Sequence, residues 1–512
     1  MVIQIIMLVA FFGTMIGIGI YCRKNSTDVN GFVLGGRNVG PWLTAFAYGT
    51  SYFSAVVFVG YAGQFGWKYG IAATWAGIGN AFLGSLLAWM VLGRRTRIMT
   101  QHLNSATMPQ FFGSRYKSEG LKLLSSAVIF IFLIPYTASL YNGLSRLFGM
   151  AFKIDYAYCV LAMAALTAVY VIAGGYMATA INDFIQGIIM IVGIIAVIIA
   201  VLNTKGGFEN AMTMLSGIGS EIEGIRIGEF TSFLGPDPIG LLGVVLLTSL
   251  GTWGLPQMVQ KFYAIKSEKA ITKGTVISTV FALIVAGGCY FLGGFGRLFT
   301  PETAADGSII YDSIIPNMLS GLSPVLIGVV IILVLSASMS TLSSLVLASS
   351  STLTLDFIKE KIVKNMPEKK QVFTMRLLIV VFIAVSAIIA IVQHNSKITF
   401  IAQLMGISWG ALAGAFLAPF LYGLYSKSVT KAAVWVNIIF STVVMIANIL
   451  FGQYFPTILR SPINAGAFCM LAGLIIVPVV SSFTKKLEKE HIDDIFSCYN
   501  KKVIVDIKEH MG

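Results

Sequence analysis

The chain has 512 residues, 56% of them hydrophobic and only 11% charged, where an ordinary soluble domain carries about 25% charged residues. At a mean hydropathy of +0.84 the ionised side chains are too few to coat a water-facing globule, so the apolar excess faces lipid and a soluble enzyme is excluded. The +13 balance, 35 Lys and Arg against 22 Asp and Glu, fits either nucleic acid or membrane orientation, and the placement of the charges decides between them.

Apolar runs of about 17 to 25 residues or more predict thirteen transmembrane helices: 2–21, 41–67, 70–92, 121–150, 155–176, 179–202, 236–260, 274–298, 323–355, 372–394, 398–423, 429–452 and 463–482. The first has no basic residue ahead of it and Arg23 and Lys24 behind it, and it is too long for a signal-peptide core. It reads as a retained span with its N-terminus outside, and an odd count puts the C-terminus in the cytoplasm. Alternate loops must then share one charge bias. The inside segments hold Arg23, Lys24, Arg37, Arg94, Arg95, Arg97, Arg115, Lys117, Lys122, Lys261, Lys266, Lys269, Lys273, the lysines of 359–370, Arg376, Lys427, Lys431 and the lysines of the tail, leaving 8 of the 35 outside. The basic charge is therefore membrane orientation, and no nucleic-acid partner is expected. One transmembrane domain, 1–482, with a cytoplasmic tail, 483–512, is the expected organisation, with a cell-membrane location and no need for an oligomer.

Two spans are interrupted at matching places. Gly49-Thr50-Ser51-Tyr52-Phe53-Ser54 lies within the second, and Gly251-Thr252-Trp253-Gly254-Leu255-Pro256 within the seventh, where Pro256 cannot donate to the helix ladder. Five spans separate them, so two five-helix units, 41–202 and 236–423, would each begin with a broken helix and lie in opposite orientations. Helix 2–21 precedes this inverted repeat, and two helices, 429–482, follow it. Paired broken helices of this kind hold solute and ion sites near the midplane of secondary transporters.

Asp183 is the one acidic residue away from loops, tail and span edges. An ionised carboxylate there needs a cation or a dense set of donors, although an acid about one turn from a helix N-terminus can also serve the macrodipole. In the ninth span Ala337, Ser340, Thr341 and Ser344 share one helical face, with Ser343 beside it. Hydroxyl and carbonyl oxygens suit a small cation that binds and then leaves, sodium better than calcium; the same residues also pack membrane helices closely. The five cysteines are odd in number and far apart, and the four histidines have no metal spacing, so no disulfide framework, no catalytic centre and no organic cofactor is expected.

Gly35-Gly36-Arg37, the Gly49–Ser54 break, Gly174-Gly175 with Asp183 and Gln186-Gly187, Gly254-Leu255-Pro256-Gln257, and Ser340-Thr341-Leu342-Ser343-Ser344 together resemble the sodium:solute symporter family over roughly residues 1–480. The resemblance implies an all-α membrane protein with the five-plus-five helix fold shared with the leucine transporter. It implies Na+ as coupling ion, held by Thr50, Phe53, Ala337, Ser340 and Thr341. A subset of the family has a second sodium site, whose ligands match Asp183, Ser340, Ser343 and Ser344. For the solute, Tyr52, Ser54, Tyr136, Trp253, Pro256 and Gln257 are the implied lining. Proline-transporting members carry an aspartate where Tyr52 stands, and aromatics where Thr248 and Thr252 stand, so the pocket is related but relined. The expected function is sodium-driven import of a small polar organic solute, a proline-like amino acid or a carboxylate. Proton coupling through Asp183, or a solute-gated sensor, are the alternatives.

Overall fold

Chains this apolar can satisfy their backbone inside lipid only as helices or closed barrels. The computed structural model describes residues 2–152, 155–219, 224–304, 307–396 and 401–500. Among these the only extended pairings are two isolated bridges, Val39 with Ile265 and Thr303 with Ile309; the rest of the architecture is helical. Its main helices are α1 (Val2–Cys22), α2 (Pro41–Tyr52) and α3 (Ala62–Tyr69). Next come α4 (Thr74–Gly79) and α5 (Arg94–His102), joined by π-helical turns. They are followed by α6 (Glu119–Phe152), α7 (Tyr156–Asn203), α8 (Pro238–Gly254), α9 (Pro256–Ala264) and α10 (Glu268–Gly293). Last are α11 (Pro324–Thr352), α12 (Glu368–Ser396), α13 (Ile401–Tyr425), α14 (Lys431–Phe451), α15 (Pro462–Phe483) and α16 (Lys489–Ser497). The start of the predicted span at 398 and the tail from 501, with His510, lie outside the described residues.

Ten helices among the described residues are long and apolar enough to cross a membrane, or eleven with α8 and α9 taken as one span bent by 47°. The thirteen predicted from sequence differ from this chiefly where helical runs adjoin without a loop. Residues 56–102 form one continuous helical stretch, yet the chain reverses at Gly70. The segment before it runs parallel to α10, since a Cβ on Gly49 would meet Phe281 and one on Gly66 would meet the Gly293 carbonyl. The segment after it runs antiparallel, with Gly77 against Gly287 and Trp89 against Gly274. Gly70 can make this turn because it has φ +61 and a Cβ there would lie 2.1 Å from the Phe230 carbonyl oxygen. α7 turns back in the same way at Gly175 (φ 56, ψ −149). Its first leg runs from a Tyr156 contact with the Ala390 carbonyl to an Ala173 carbonyl that accepts from Ser26. The second leg retraces α1, with Asn182 and Gln186 both reaching Met15.

α11 is buried almost from end to end and packs against α7, α6 and α2. Large apolar side chains stay exposed on outer elements, among them Val9 and Ile20 on α1, Val192 and Ile199 on α7, Phe373 on α12, and Ile475 and Phe483 on α15. A soluble surface would not tolerate such a belt, and lipid removes its cost. Beyond α15 the chain folds back. Ile492, Ile495 and Phe496 of α16 are buried, the Tyr499 hydroxyl donates to the Leu424 carbonyl at 3.0 Å, and the Arg95 guanidinium lies over the Tyr425 and Tyr499 rings at 4.0 and 4.6 Å. Two exposed ion pairs, Lys117–Glu488 and Lys427–Asp493, flank it.

Candidate functional site

Helices α2 and α8 both end inside the molecule on an extended residue. Phe53 has φ −85, ψ 114 and Leu255 has φ −78, ψ 124, with Pro256 opening α9. Both breaks fall in the motifs the sequence marks, but their glycines do not make them. Gly49 and Gly251 are helical, and a Cβ at either would overlap Phe281 (2.4 Å) or Trp409 (2.7 Å); they are glycine to let a neighbouring ring approach. The extended residue is what matters chemically, because carbonyls in the last turn before it lose the N–H that a continuing helix would have supplied.

The carbonyls at the end of α2 point at α11. Ser340 Oγ lies 3.2 Å from the Thr50 carbonyl oxygen, and Thr341 Oγ1 lies 3.1 Å from the same oxygen and 3.3 Å from that of Phe53. Both hydroxyls also reach the Ala337 carbonyl, at 3.2 and 3.1 Å. Thr50, Phe53, Ala337, Ser340 and Thr341 thus converge, each fully shielded from solvent. Three carbonyl and two hydroxyl oxygens therefore face a common point, and such an oxygen-rich, uncharged cluster is suited to a small hard cation.

The four residues matched to a second ion site are arranged differently. Ser343 Oγ donates to the Ser340 carbonyl at 2.9 Å. Ser344 Oγ is 2.9 Å from Ser51 Oγ and accepts a hydrogen bond from Lys261 Nζ at 3.0 Å. Asp183 is buried, with neither carboxylate oxygen hydrogen-bonded among the described residues, and its Oδ2 lies 3.9 Å from the same Lys261 Nζ. The carboxylate therefore makes no helix cap; its neighbour is an ammonium. Lys261, counted from sequence among the orienting charges of a loop, sits instead within α9, with a side chain only 3% exposed. The signal was available: an acid buried in a span needs a named cation, and Lys261 stands among apolar Val259, Phe262, Tyr263 and Ala264 in a half-helix.

The candidate solute residues are all buried. The hydroxyls of Tyr52, Ser54 and Tyr136 and both polar atoms of the Gln257 amide have no hydrogen-bond partner among the described residues. Ser54 and Trp409 neighbour the Tyr136 hydroxyl, and the Tyr136 and Trp409 rings meet edge to face at 6.0 Å. Trp409, which sequence reasoning missed inside an apolar span, also has no partner for its indole N–H among the described residues. Trp253 differs: its N–H donates to the Leu83 carbonyl at 2.9 Å, so only its ring is free to line anything. Thr252 is likewise tied to the Gly84 carbonyl, and Thr248 to that of Val244.

An interrupted helix ending on a buried oxygen cluster, with a second interrupted helix packed beside it, in a protein of many apolar helices, is the arrangement of a secondary transporter. The comparisons agree. The sodium:solute symporter family matches residues 32–440, and the chain belongs to that family: it is a multi-pass membrane transporter, not an enzyme. Sodium/proline symporters of Staphylococcus aureus, strains JH9 and NCTC 8325 / PS 47 among them, are 28% identical over 95% of this chain and 93% of theirs. A Na+-coupled sialic acid symporter in a substrate-bound outward-open state superposes with a TM-score of 0.73 at 16% identity, covering 95% of this chain and 99% of that one. A transporter of the nucleobase-cation-symport-1 family gives 0.50 at 14% identity, over 90% of this chain and 97% of that one.

Proposed function

We propose that the protein couples the inward movement of one small polar organic solute to sodium through Thr50, Phe53, Ala337, Ser340 and Thr341. The observation that carries this is the convergence of three carbonyl and two hydroxyl oxygens where α11 meets the end of α2. Sodium arriving there replaces the sharing of two hydroxyl hydrogens by direct contact with five oxygens, and it ties α2 to α11. Because Phe53 O belongs to the break and Ser54 follows it, ion binding bears directly on the residue that opens the solute region. A membrane potential contributes about 2.3 kcal/mol per charge per 100 mV, enough for one sodium ion to support a substantial solute gradient.

The solute is read from Tyr52, Ser54, Tyr136, Pro256 and Gln257, with the Trp253 ring and Trp409 as walls. Unpartnered hydroxyl and amide groups beside aromatic faces suit a compact molecule with a few polar atoms. The relatives named for proline favour an amino acid or a carboxylate of similar size. The fold is read as thirteen passages, with the reversals at Gly70 and Gly175 each separating two of them. The first and sixth members of an inverted five-plus-five repeat carry the breaks, the N-terminus is outside, and the tail is cytoplasmic. Proton coupling through Asp183 is the weaker reading, because that carboxylate already faces Lys261. Purified protein in liposomes, given radiolabelled amino acids, carboxylates and sugars with and without an inward sodium gradient, tests the proposal. Accumulation of a solute only with the gradient supports it, whereas uptake that follows pH and ignores sodium overturns it.

A further inference from the structure

A buried carboxylate, a buried ammonium and two serine hydroxyls form a chain beside the oxygen cluster. Asp183 Oδ2 lies 3.9 Å from Lys261 Nζ, Lys261 Nζ lies 3.0 Å from Ser344 Oγ, and Ser344 Oγ lies 2.9 Å from Ser51 Oγ. The Tyr176 ring stands 5.1 Å from the same ammonium. Ser51 follows Thr50 in sequence, and Ser344 is one turn past Ser340 and Thr341 on α11, so this chain abuts the candidate sodium position. We infer that the Lys261 ammonium stands in the place of a second sodium ion, bound to Asp183 and Ser344, and that the protein therefore binds one sodium ion per cycle.

The argument is one of charge and space. A single carboxylate in low dielectric is compensated by one cation, and once Lys261 supplies it a sodium ion at the same oxygens would bring a second positive charge to a site with one negative charge. Two unit charges about 4 Å apart repel strongly enough, at the effective dielectric typical of proteins, to weaken sodium there by roughly a thousandfold. Ser344 is already engaged: its oxygen accepts from Lys261 and is in contact with Ser51. Ser343 turns its hydroxyl to the Ser340 carbonyl. The ligand set that a second ion would need is thus divided between an internal cation and the backbone. Lysine suits this role because its ammonium is a compact point charge with three donors, close in character to a hard monovalent ion, whereas a guanidinium is a broad planar fork.

The inference rests on the reading of the Thr50–Thr341 cluster as the sodium site, and its test separates the two. The experiment is equilibrium binding of 22Na+ to purified protein, counted per chain and fitted for cooperativity, with a thermal-unfolding series in sodium against choline as a second readout. Wild type is expected to bind one ion with a Hill coefficient near 1. Lys261→Ala frees Asp183 and Ser344 and is expected to bind two, with a sodium-dependent rise in unfolding midpoint larger than that of wild type. Asp183→Asn/Lys261→Met, which removes both charges and so avoids an uncompensated carboxylate, is expected to fold and to return to one. Two ions on wild type, or one ion on a folded Lys261→Ala protein, overturns the assignment of Lys261 while leaving the main cluster untouched. Two ions on the double variant also overturns it. A single wild-type ion that survives Ser340→Ala/Thr341→Ala overturns the sodium site itself, and with it this inference.

Discussion

Replacing both Ser340 and Thr341 by alanine removes the two hydroxyl oxygens of the cluster and leaves its three carbonyls. In the absence of sodium the loss is limited. The pair makes five contacts of 3.1–3.3 Å shared among three acceptors, so about two net hydrogen bonds disappear, each worth about 1 kcal/mol. With sodium the loss is larger, since contacts to a charge are worth about 1.5–3 kcal/mol each. Two of five ligands then amount to about 3–6 kcal/mol, or roughly two to four orders of magnitude in the sodium concentration that half-saturates uptake. The assay is initial uptake in proteoliposomes across a sodium series, paired with thermal unfolding in sodium or choline. Wild type at a hundredfold excess over its dissociation constant gains about 2.7 kcal/mol of stability, and the double variant should gain almost none. Thr341→Ser keeps the oxygen and should stay within a few fold of wild type. A folded double variant with wild-type half-saturation and an unchanged sodium-dependent midpoint would falsify the placement of the ion.

The remaining expectations are narrower. Tyr136→Phe deletes a buried hydroxyl that has no hydrogen-bond partner among the described residues; thermal stability should hold or rise slightly while the solute KM increases by roughly 10-fold or more, since about 1–3 kcal/mol is lost when a site's polar partner goes. An unchanged KM would remove Tyr136 from the solute region. Gly66→Ala puts a Cβ 1.8 Å from the Gly293 carbonyl oxygen, a backbone atom that cannot swing aside, so stability should fall by about 1–3 kcal/mol or more, read as a lower unfolding midpoint in detergent. The tail contact should weaken in acid. Hydrogen bonds from Lys117 and Lys427 hold the Glu488 and Asp493 carboxyls below their ordinary ranges, so both pairs are intact above the usual carboxylate range and are lost as pH falls through the lowered values. Accessibility of a fluorescent label on α16, followed from neutral pH downward, reports the release.

The fold was legible wherever chemistry is local. Apolar runs gave the helices because lipid leaves a backbone little other choice, and the serine-threonine ridge was visible as a 3.6-residue period from Ala337 to Ser344. Glycines and Pro256 mark the two breaks in the sequence; Pro256 does stand beside the extended Leu255, and Phe53 is the extended residue of the first break, whereas Gly49 and Gly251 instead accommodate Phe281 and Trp409. Such contacts join residues far apart in the chain and leave no periodic trace. Lys261 shows the same limit from the side of charge. A basic residue one position past a predicted span looks like an orienting loop charge, and only the approach of α9 to α7 makes it a partner for Asp183. Trp409 was hidden because, in an apolar span, a large aromatic is ordinary filling until its N–H proves to have no partner among the described residues.

The glycine contacts along α10 constrain how such a molecule can move. At Gly66–Gly293 and Gly77–Gly287 the main chains touch without intervening side chains, so there is no layer of rotamers to rearrange when one helix slides past the other. The half of the first broken span that follows Phe53, the helix after it and α10 therefore travel together like keyed shafts. Any swing that opens the solute region to one side of the bilayer has to be taken up elsewhere, at the non-helical Phe53 and Ser54 or along the polar seam with α11, and a bulky residue engineered at either glycine pair would jam the unit rather than loosen a gate.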